Sequence, residues 1–287
     1  MKVLIGINTH NRADILTKSI QSALDQDYPH KEVAVFDDAS TDSTPLLKTR
    51  FPSVSWDRSE TTQGYLMARN KLMCETDAEF YFSLDDDAWF IKGDEISQGV
   101  ALMNEVRETA ALAYDILAPD RPEPVDRMKP LRTHLFIGCG HMLRISAVRE
   151  VSYYTVNPGL YGAEESDLCV RLLDRGYEIF YLPGVHVWHE KSLRARKSDD
   201  QYSSAVCNDL AFALRRCPFP LILAGLPVKL LSHLRFAVSH NFFRPYVTGL
   251  RMFSIALPAI VGARKPVSNW TMFEFRRRAR LQTFPLE

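Results

Sequence analysis

The feature that most restricts the fold is an alternation of two hydrophobic periods along the first 190 residues. "VLIGI" (3–7) is an unbroken apolar run with the length and β-branching of a strand buried on both faces. "LTKSIQSALDQ" (16–26) follows, with Leu16, Ile20, Ala23 and Leu24 spaced to form one stripe of a helix. "VAVF" (33–36) reads as a second buried strand and "EFYFSL" (79–84) as a third. Between them, "STDSTPLLK" (40–48) sets capping hydroxyls and a carboxylate ahead of Pro45, which predicts a helix start. Strands that alternate with helices in this way fold as parallel βαβ units, whose ligands bind outside the carboxyl ends of the strands.

Each predicted strand runs out into a polar cluster: "NTHNR" (8–12), "DDASTD" (37–42) and "DDD" (85–87). Turn chemistry would explain one Asp pair, but three such clusters on one sheet edge call for a ligand. Asp85, Asp86 and Asp87 repel one another and raise one another's pKa, so the triplet predicts a cation-seeking, strained site. Adjacent aspartates are hard oxygen donors, suited to Mn²⁺ or Mg²⁺.

Further segments follow in order: "GYLMARN" (64–70), "GAEESDLCVRL" (162–172) and "GYEIFYLPGVHVWHE" (176–190). Together with the three strand-end clusters, this series resembles the family-two glycosyltransferases over roughly residues 2–190. The resemblance implies an inverting, nucleotide-sugar-dependent enzyme with the GT-A fold. It places the metal motif and ribose contacts on Asp85 and Asp87, with Asp87 the direct ligand and Asp86 in the nucleotide-sugar site. Asp38 would accept the N–H of a uracil or guanine base, with Asp37 as its partner. Thr9 and Arg12 stand where the base and ribose pocket begins, although Arg12 reads equally well as an exposed helix-start residue. Arg69 would contact the diphosphate, its alternative being a salt bridge on an exposed helix.

For the base that takes the acceptor proton, the resemblance points to Glu165, with Glu164 its alternative, and Asp167 as acceptor contact or support. All three also fit simple capping of a helix N-terminus. His189 falls where related enzymes complete the metal site. His186, three residues earlier, would face the other way on a strand. Gly138 and Gly140 in "FIGCGHMLR" would allow close approach to a donor or acceptor sugar, or make a turn. "APDRPEPVDRMKP" (118–130) reads as a mobile loop over the acceptor site. An Asp-x-Asp phosphohydrolase is a weaker reading, because Trp89 stands where that chemistry wants Thr or Val and the other clusters go unexplained. A non-catalytic nucleotide-sugar binder at the membrane is the remaining alternative.

Net charge is zero, but unevenly distributed. Residues 1–190 hold 19 Lys and Arg against 30 Asp and Glu, a balance of −11, while 191–287 hold 16 against 5, a balance of +11. The basic part also contains two 12-residue uncharged runs, "CPFPLILAGLPV" (217–228) and "MFSIALPAIVGA" (252–263), shorter than the roughly 20 residues that span a bilayer. With "RKPVSNWTMFEFRRRARL" (264–281) they predict attachment to an anionic membrane surface, the alternative being a packed helical subdomain with a solvated basic tail. No nucleic-acid partner is expected. Five cysteines without a CxxC pair argue against a disulfide framework, and the opening apolar run is too short for a signal-peptide core. Both point to the cytoplasm, at the inner face of the membrane.

The expectation is therefore an α/β chain. A GT-A-type, Rossmann-like, mostly parallel sheet flanked by helices would occupy 1–190, with a basic helical extension over 191–287. A nucleotide-diphosphate sugar would be the donor, and a lipid-linked or cell-surface glycan precursor the acceptor.

Overall fold

The computed structural model describes residues 1–124, 129–191 and 198–281. Its first half runs β1 (Val3–Thr9), α1 (Ala13–Leu24), β2 (Lys31–Asp38), α2 (Leu47–Arg50), β3 (Ser55–Ser59), α3 (Tyr65–Glu75), β4 (Phe80–Asp85) and β5 (Ala88–Phe90). It continues with α4 (Glu95–Glu105), β6 (Thr109–Leu117), β7 (Leu131–Arg132), β8 (Gly140–Arg144), α5 (Ile145–Glu150), α6 (Glu164–Asp174) and β9 (Glu178–His189). One sheet results, in the order β3-β2-β1-β4-β8-β6-β9-β5, with β7 pairing β9. Strands β1 to β4 are mutually parallel, β8 is antiparallel to both its neighbours, and β6 and β9 are parallel. The sheet is thus mostly parallel, with β5, β7 and β8 reversed.

Period-two burial sends alternate residues of β1 to opposite faces. Val3, Ile5 and Ile7 pack with Leu16, Ile20 and Ala23 of α1, whereas Leu4 joins Phe36, Leu66 and Leu72 on the other face. This two-sided burial explains why the strand reads as a continuous apolar run. The helix start expected at Pro45 is a 3₁₀ turn (Thr44–Leu46) that runs into four-residue α2. Pro52 forces Phe51 out of the helical region, to φ −121° and ψ 71°, and ends it there.

The basic part forms α7 (Ser198–Arg216), α8 (Ile222–Ser239), α9 (Phe243–Gly262) and α10 (Asn269–Leu281). The boundary expected at 190 is not a packing boundary. Phe212, Cys217, Met272 and Phe275 belong to the same apolar cluster as Leu143, Leu168 and Ile179, so α7 and α10 complete the core of the first part. Arg278 on α10 donates to Glu178 of β9 at 2.7 Å, and Thr271 to Asp174 of α6 at 2.7 Å. The apolar run 217–228 leads into α8 and supplies its first seven residues, and the run 252–263 ends α9; the helices have 18 and 20 residues, each long and apolar enough to cross a membrane by length and composition. Part of the loop expected over 118–130 lies outside the described residues.

Candidate active site

Parallel register brings the polar strand ends together. Asn8 lies beside Phe36 and Asp85, and Thr9 beside Asp37, so the clusters at 8–12, 37–42 and 85–87 share one sheet edge. Above this edge opens a cleft of about 680 Å³, within the ordinary size range of small-molecule sites. Thr9, Arg12, Asp38, Arg69, the three aspartates, Gly138, Glu164, Glu165 and His189 all line it.

The triplet is not the bare, repulsive cluster expected from the sequence. Arg12 Nη1 lies 2.9 Å from Asp86 Oδ1 and 2.9 Å from Asp87 Oδ2. Arg69 Nη2 donates to Asp85 Oδ1 and to the Gly138 carbonyl, both at 2.8 Å. His189 Nε2 stands 3.2 Å from Asp87 Oδ1. Three basic side chains therefore share the charge of three carboxylates. Arg12 stands at the N-cap of α1 but is not exposed there; its side chain, 13% accessible, turns into the cleft. Arg69 is buried, which rules out an exposed helical salt bridge. Burial works against its charge, but Asp85 more than compensates and raises the pKa. Burial also pushes the Asp86 carboxyl up, to about 6, with Arg12 opposing and Asp87 adding to the rise.

Asp85, Asp87 and His189 each offer a ligand atom within 4.8 Å of the others, and this donor set of carboxylate oxygens and imidazole nitrogen suits Mn²⁺ or Mg²⁺. The His189–Asp87 contact is a close ion pair, whose proton a bound cation would replace. Asp86 faces Arg12 instead. Burial disfavours a proton on His189, but Cys139, Asp87 and Asp85 override it and raise the imidazole pKa to about 11. His186 points to a different neighbour, Asp115, at 3.6 Å, as the odd spacing on β9 requires.

The opposite wall comes from α6. Ala163, in the left-handed region at φ 68°, starts the helix so that Glu164 and Glu165 occupy its first turn. Glu164 is buried and accepts a hydrogen bond from the Tyr65 hydroxyl. Glu165 reaches over Gly138, where a methyl group would come within 2.7 Å of Glu165 Oε1 and 3.4 Å of Arg69 Nη1. Gly138 thus allows the carboxylate wall and the Arg69–Asp85 pair to approach.

Three candidates lie away from the cleft. Gly140 sits inside the sheet, where a side chain would strike Ile116 at 2.5 Å, so its smallness serves packing. Asp37 accepts from Arg58 Nη1 at 2.7 Å and from the Ser40 amide at 2.9 Å, and so braces the loop after β2. Asp167 supports from behind: it accepts from Thr155 (2.8 Å), Arg171 (2.8 Å) and Arg216 of α7 (2.6 Å). Asp38 does line the cleft, with Ser59 and the amides of Gln63 and Gly64 already donating to it.

Sequence reasoning missed Tyr65, whose ring stacks on Tyr161 at 6.1 Å, and the segment 156–162 that closes the cleft. "NPGLYG" (157–162) carries a turn signal, but nothing local indicates its anchor. Asn208 of α7 accepts from the Gly159 amide at 2.8 Å and donates to the carbonyls of Gly159 and Tyr161.

The model of glycosyl transferase family 2 matches residues 4–151. The chain belongs to this family. It is 26% identical over 198 residues to a Bacillus subtilis protein named as a teichuronic acid biosynthesis glycosyltransferase, TuaG, covering 62% of this chain and 75% of that one. Its fold is similar to that of S. aureus TarS 1–349 in complex with UDP-GlcNAc, with a TM-score of 0.66, 18% identity and coverage of 92% of this chain and 82% of that one. It is also similar to the mannosyltransferase PcManGT from Pyrobaculum calidifontis in complex with GDP-Man and Mn²⁺, with a TM-score of 0.62, 17% identity and coverage of 99% and 81%. The protein is a glycosyltransferase with the GT-A architecture.

Proposed function

We propose that this glycosyltransferase moves a sugar, with inversion, from a nucleotide-diphosphate sugar to an acceptor hydroxyl. The observation that supports this reading is one cleft with the Asp85–Asp87–His189 cluster on one wall and Glu164 and Glu165 on the other, Gly138 lying between them. Glu165 is the base: it takes the proton of the acceptor hydroxyl while that oxygen attacks the anomeric carbon from the face opposite the diphosphate. A bond forms from the acceptor oxygen, the bond to the diphosphate oxygen breaks, and the nucleoside diphosphate leaves. The start of α6 favours an ionised carboxylate, and the Tyr65 hydroxyl engages Glu164, which leaves Glu165 as the base.

Arg69 and Arg12 orient phosphate oxygens, while Thr9 and Asp38 lie at the base and ribose end. A Mn²⁺ or Mg²⁺ held by Asp85, Asp87 and His189 would neutralise charge developing on the leaving diphosphate. Neighbours of the same fold carry UDP-GlcNAc, or GDP-Man with Mn²⁺, which supports a uridine or guanosine diphosphate donor here. The acceptor is a lipid-linked or cell-surface glycan precursor met at the cytoplasmic face of the membrane, a reading supported by the TuaG relative and the apolar helices α8 and α9.

Calorimetric titration with UDP, GDP and dTDP, each with and without Mn²⁺, tests the site. One diphosphate should bind in a metal-dependent way, and Glu165→Gln should keep that binding while abolishing transfer. Absence of binding by folded protein would overturn the donor reading, and transfer by Glu165→Gln would move the base to Glu164.

A further inference from the structure

Of the twenty large hydrophobic side chains exposed among the described residues, fourteen fall between Phe219 and Leu281. Only 6% of the α8 span and 22% of the α9 span are buried. A surface helix of a soluble domain turns its large apolar residues inward. These two turn many outward: Leu223, Leu231 and Val238 on α8 are 64–66% exposed, and Ile255 on α9 is 72% exposed. On its inner side α9 meets α7 through Tyr246 and, most closely, at Gly249, where a methyl group would come within 2.5 Å of the Ser203 carbonyl.

We infer that α8 and α9 form a docking face that lies in the plane of an anionic lipid bilayer without crossing it. Charge selects this occupant. Between Ile222 and Gly262 the chain carries Lys229, Arg235, Arg244 and Arg251 and no acidic residue. Arg235, Arg244 and Arg251 are exposed, so a second copy would bring like charges together, whereas acidic phospholipid headgroups complement them. Exposed Phe236 and Phe243, with Trp270 and Phe273 on α10, supply aromatics suited to the headgroup level.

Packing sets the orientation. Tyr246 near the start of α9 and Gly249 after it are held against α7, which is itself tied to the first part by Asn208, Arg215 and Arg216. A helix anchored this way along its flank lies on a bilayer, as interfacial helices do. The same α7 contributes Gln201 and Ala205 to the cleft, so a single helix separates the lipid-facing surface from the active site. An acceptor carried on a lipid would reach the cleft from this side. That consequence rests on the transferase reading above, whereas docking does not.

Sedimentation of the full chain with sucrose-loaded vesicles tests the inference. The protein should co-sediment with vesicles of phosphatidylglycerol mixed with phosphatidylcholine and much less with phosphatidylcholine alone. Leu231→Glu with Ile255→Glu, both exposed, should weaken binding about tenfold or more without shifting the melting temperature, since each replaces a membrane-buried apolar group by a charge. Arg235→Glu with Arg251→Glu should remove the preference for anionic vesicles. Full-length protein remaining in the supernatant with anionic vesicles overturns the docking face. So does a dimer in solution that Leu231→Glu with Ile255→Glu dissociates, which would make the face a contact between copies. Nucleotide titration of the same samples separates the two readings. Protein that binds nucleotide and not vesicles loses only the docking face, and protein that binds vesicles and no nucleotide loses only the donor site.

Discussion

Asp167→Asn should be among the most damaging single substitutions outside the cleft. The carboxylate is 1% exposed and receives donors from three segments: Thr155, Arg171 on its own helix, and Arg216 on α7. Burial alone would raise its pKa, but Arg171 and Arg216 reverse that and hold it below the usual carboxylate range. Asparagine keeps the shape but turns an NH₂ group toward one guanidinium and leaves two buried cations without their anion. Breaking a buried ionic group this way costs about 3–5 kcal/mol. For a chain of this size that corresponds to a fall in melting temperature of roughly 10 °C. Arg277→Ala, which removes a pair with Glu274 whose arginine is half exposed, serves as the control and should shift melting by no more than about 2 °C.

Acid sensitivity supplies an independent check on the same group. A depressed carboxylate stabilises the fold fully above its unfolded pKa of about 3.9 and loses that contribution as pH falls through the lower folded value. Asp167→Asn should lack this component of the acid transition. Differential scanning calorimetry from pH 7 down to the acid transition reads both effects. If Asp167→Asn melts within about 2 °C of the parent, this network does not tie α6 to α7.

Other outcomes follow from the cleft. Gly138→Ala, which puts a methyl group 2.7 Å from Glu165 Oε1, should lower kcat by roughly 100-fold in a coupled transfer assay while leaving diphosphate binding intact. Asp87→Asn should abolish the Mn²⁺-dependent part of nucleotide affinity measured by calorimetry. Because the His189 pKa is raised to about 11, a metal must displace its proton, so metal affinity should rise with pH through the neutral range. Titrations in buffers of different ionisation enthalpy will count that proton, and a pH-independent affinity would remove His189 from the ligand set. Asn208→Ala removes the hydrogen bonds to the Gly159 and Tyr161 backbone, each worth about 1 kcal/mol, and should lower the melting temperature by roughly 5 °C or more in calorimetry.

The buried strands were legible because two-sided burial writes itself as an unbroken apolar run, and β1, β2 and β4 with their polar ends stand where that rule puts them. Edge strand β3, "SWDRS", has no such run and passes unread. The aspartate triplet and the acidic start of α6 were visible as local patterns. The state of the triplet was not, because Arg12 lies 74 residues from Asp86 in sequence and only the fold brings them together. The switch in charge near residue 190 reflects how the surface is used. Packing ignores it, because Phe212 and Phe275 finish a core begun by Leu143. The uncharged runs stop short at Lys229 and Arg251, whereas α8 and α9 continue through them, because an exposed helix carries charges on its surface without stopping.

Arg12, bridging Asp86 and Asp87, changes what a ligand meets in the cleft. With Arg69 and protonated His189 it matches the triplet charge for charge, so the resting site behaves as a filled ion exchanger. A dication held by Asp85, Asp87 and His189 would displace resident positive charge, as a proton from His189 or as Arg12 turning to phosphate oxygens. Uptake of ion and nucleotide would then be mutual, each strengthening the other's hold.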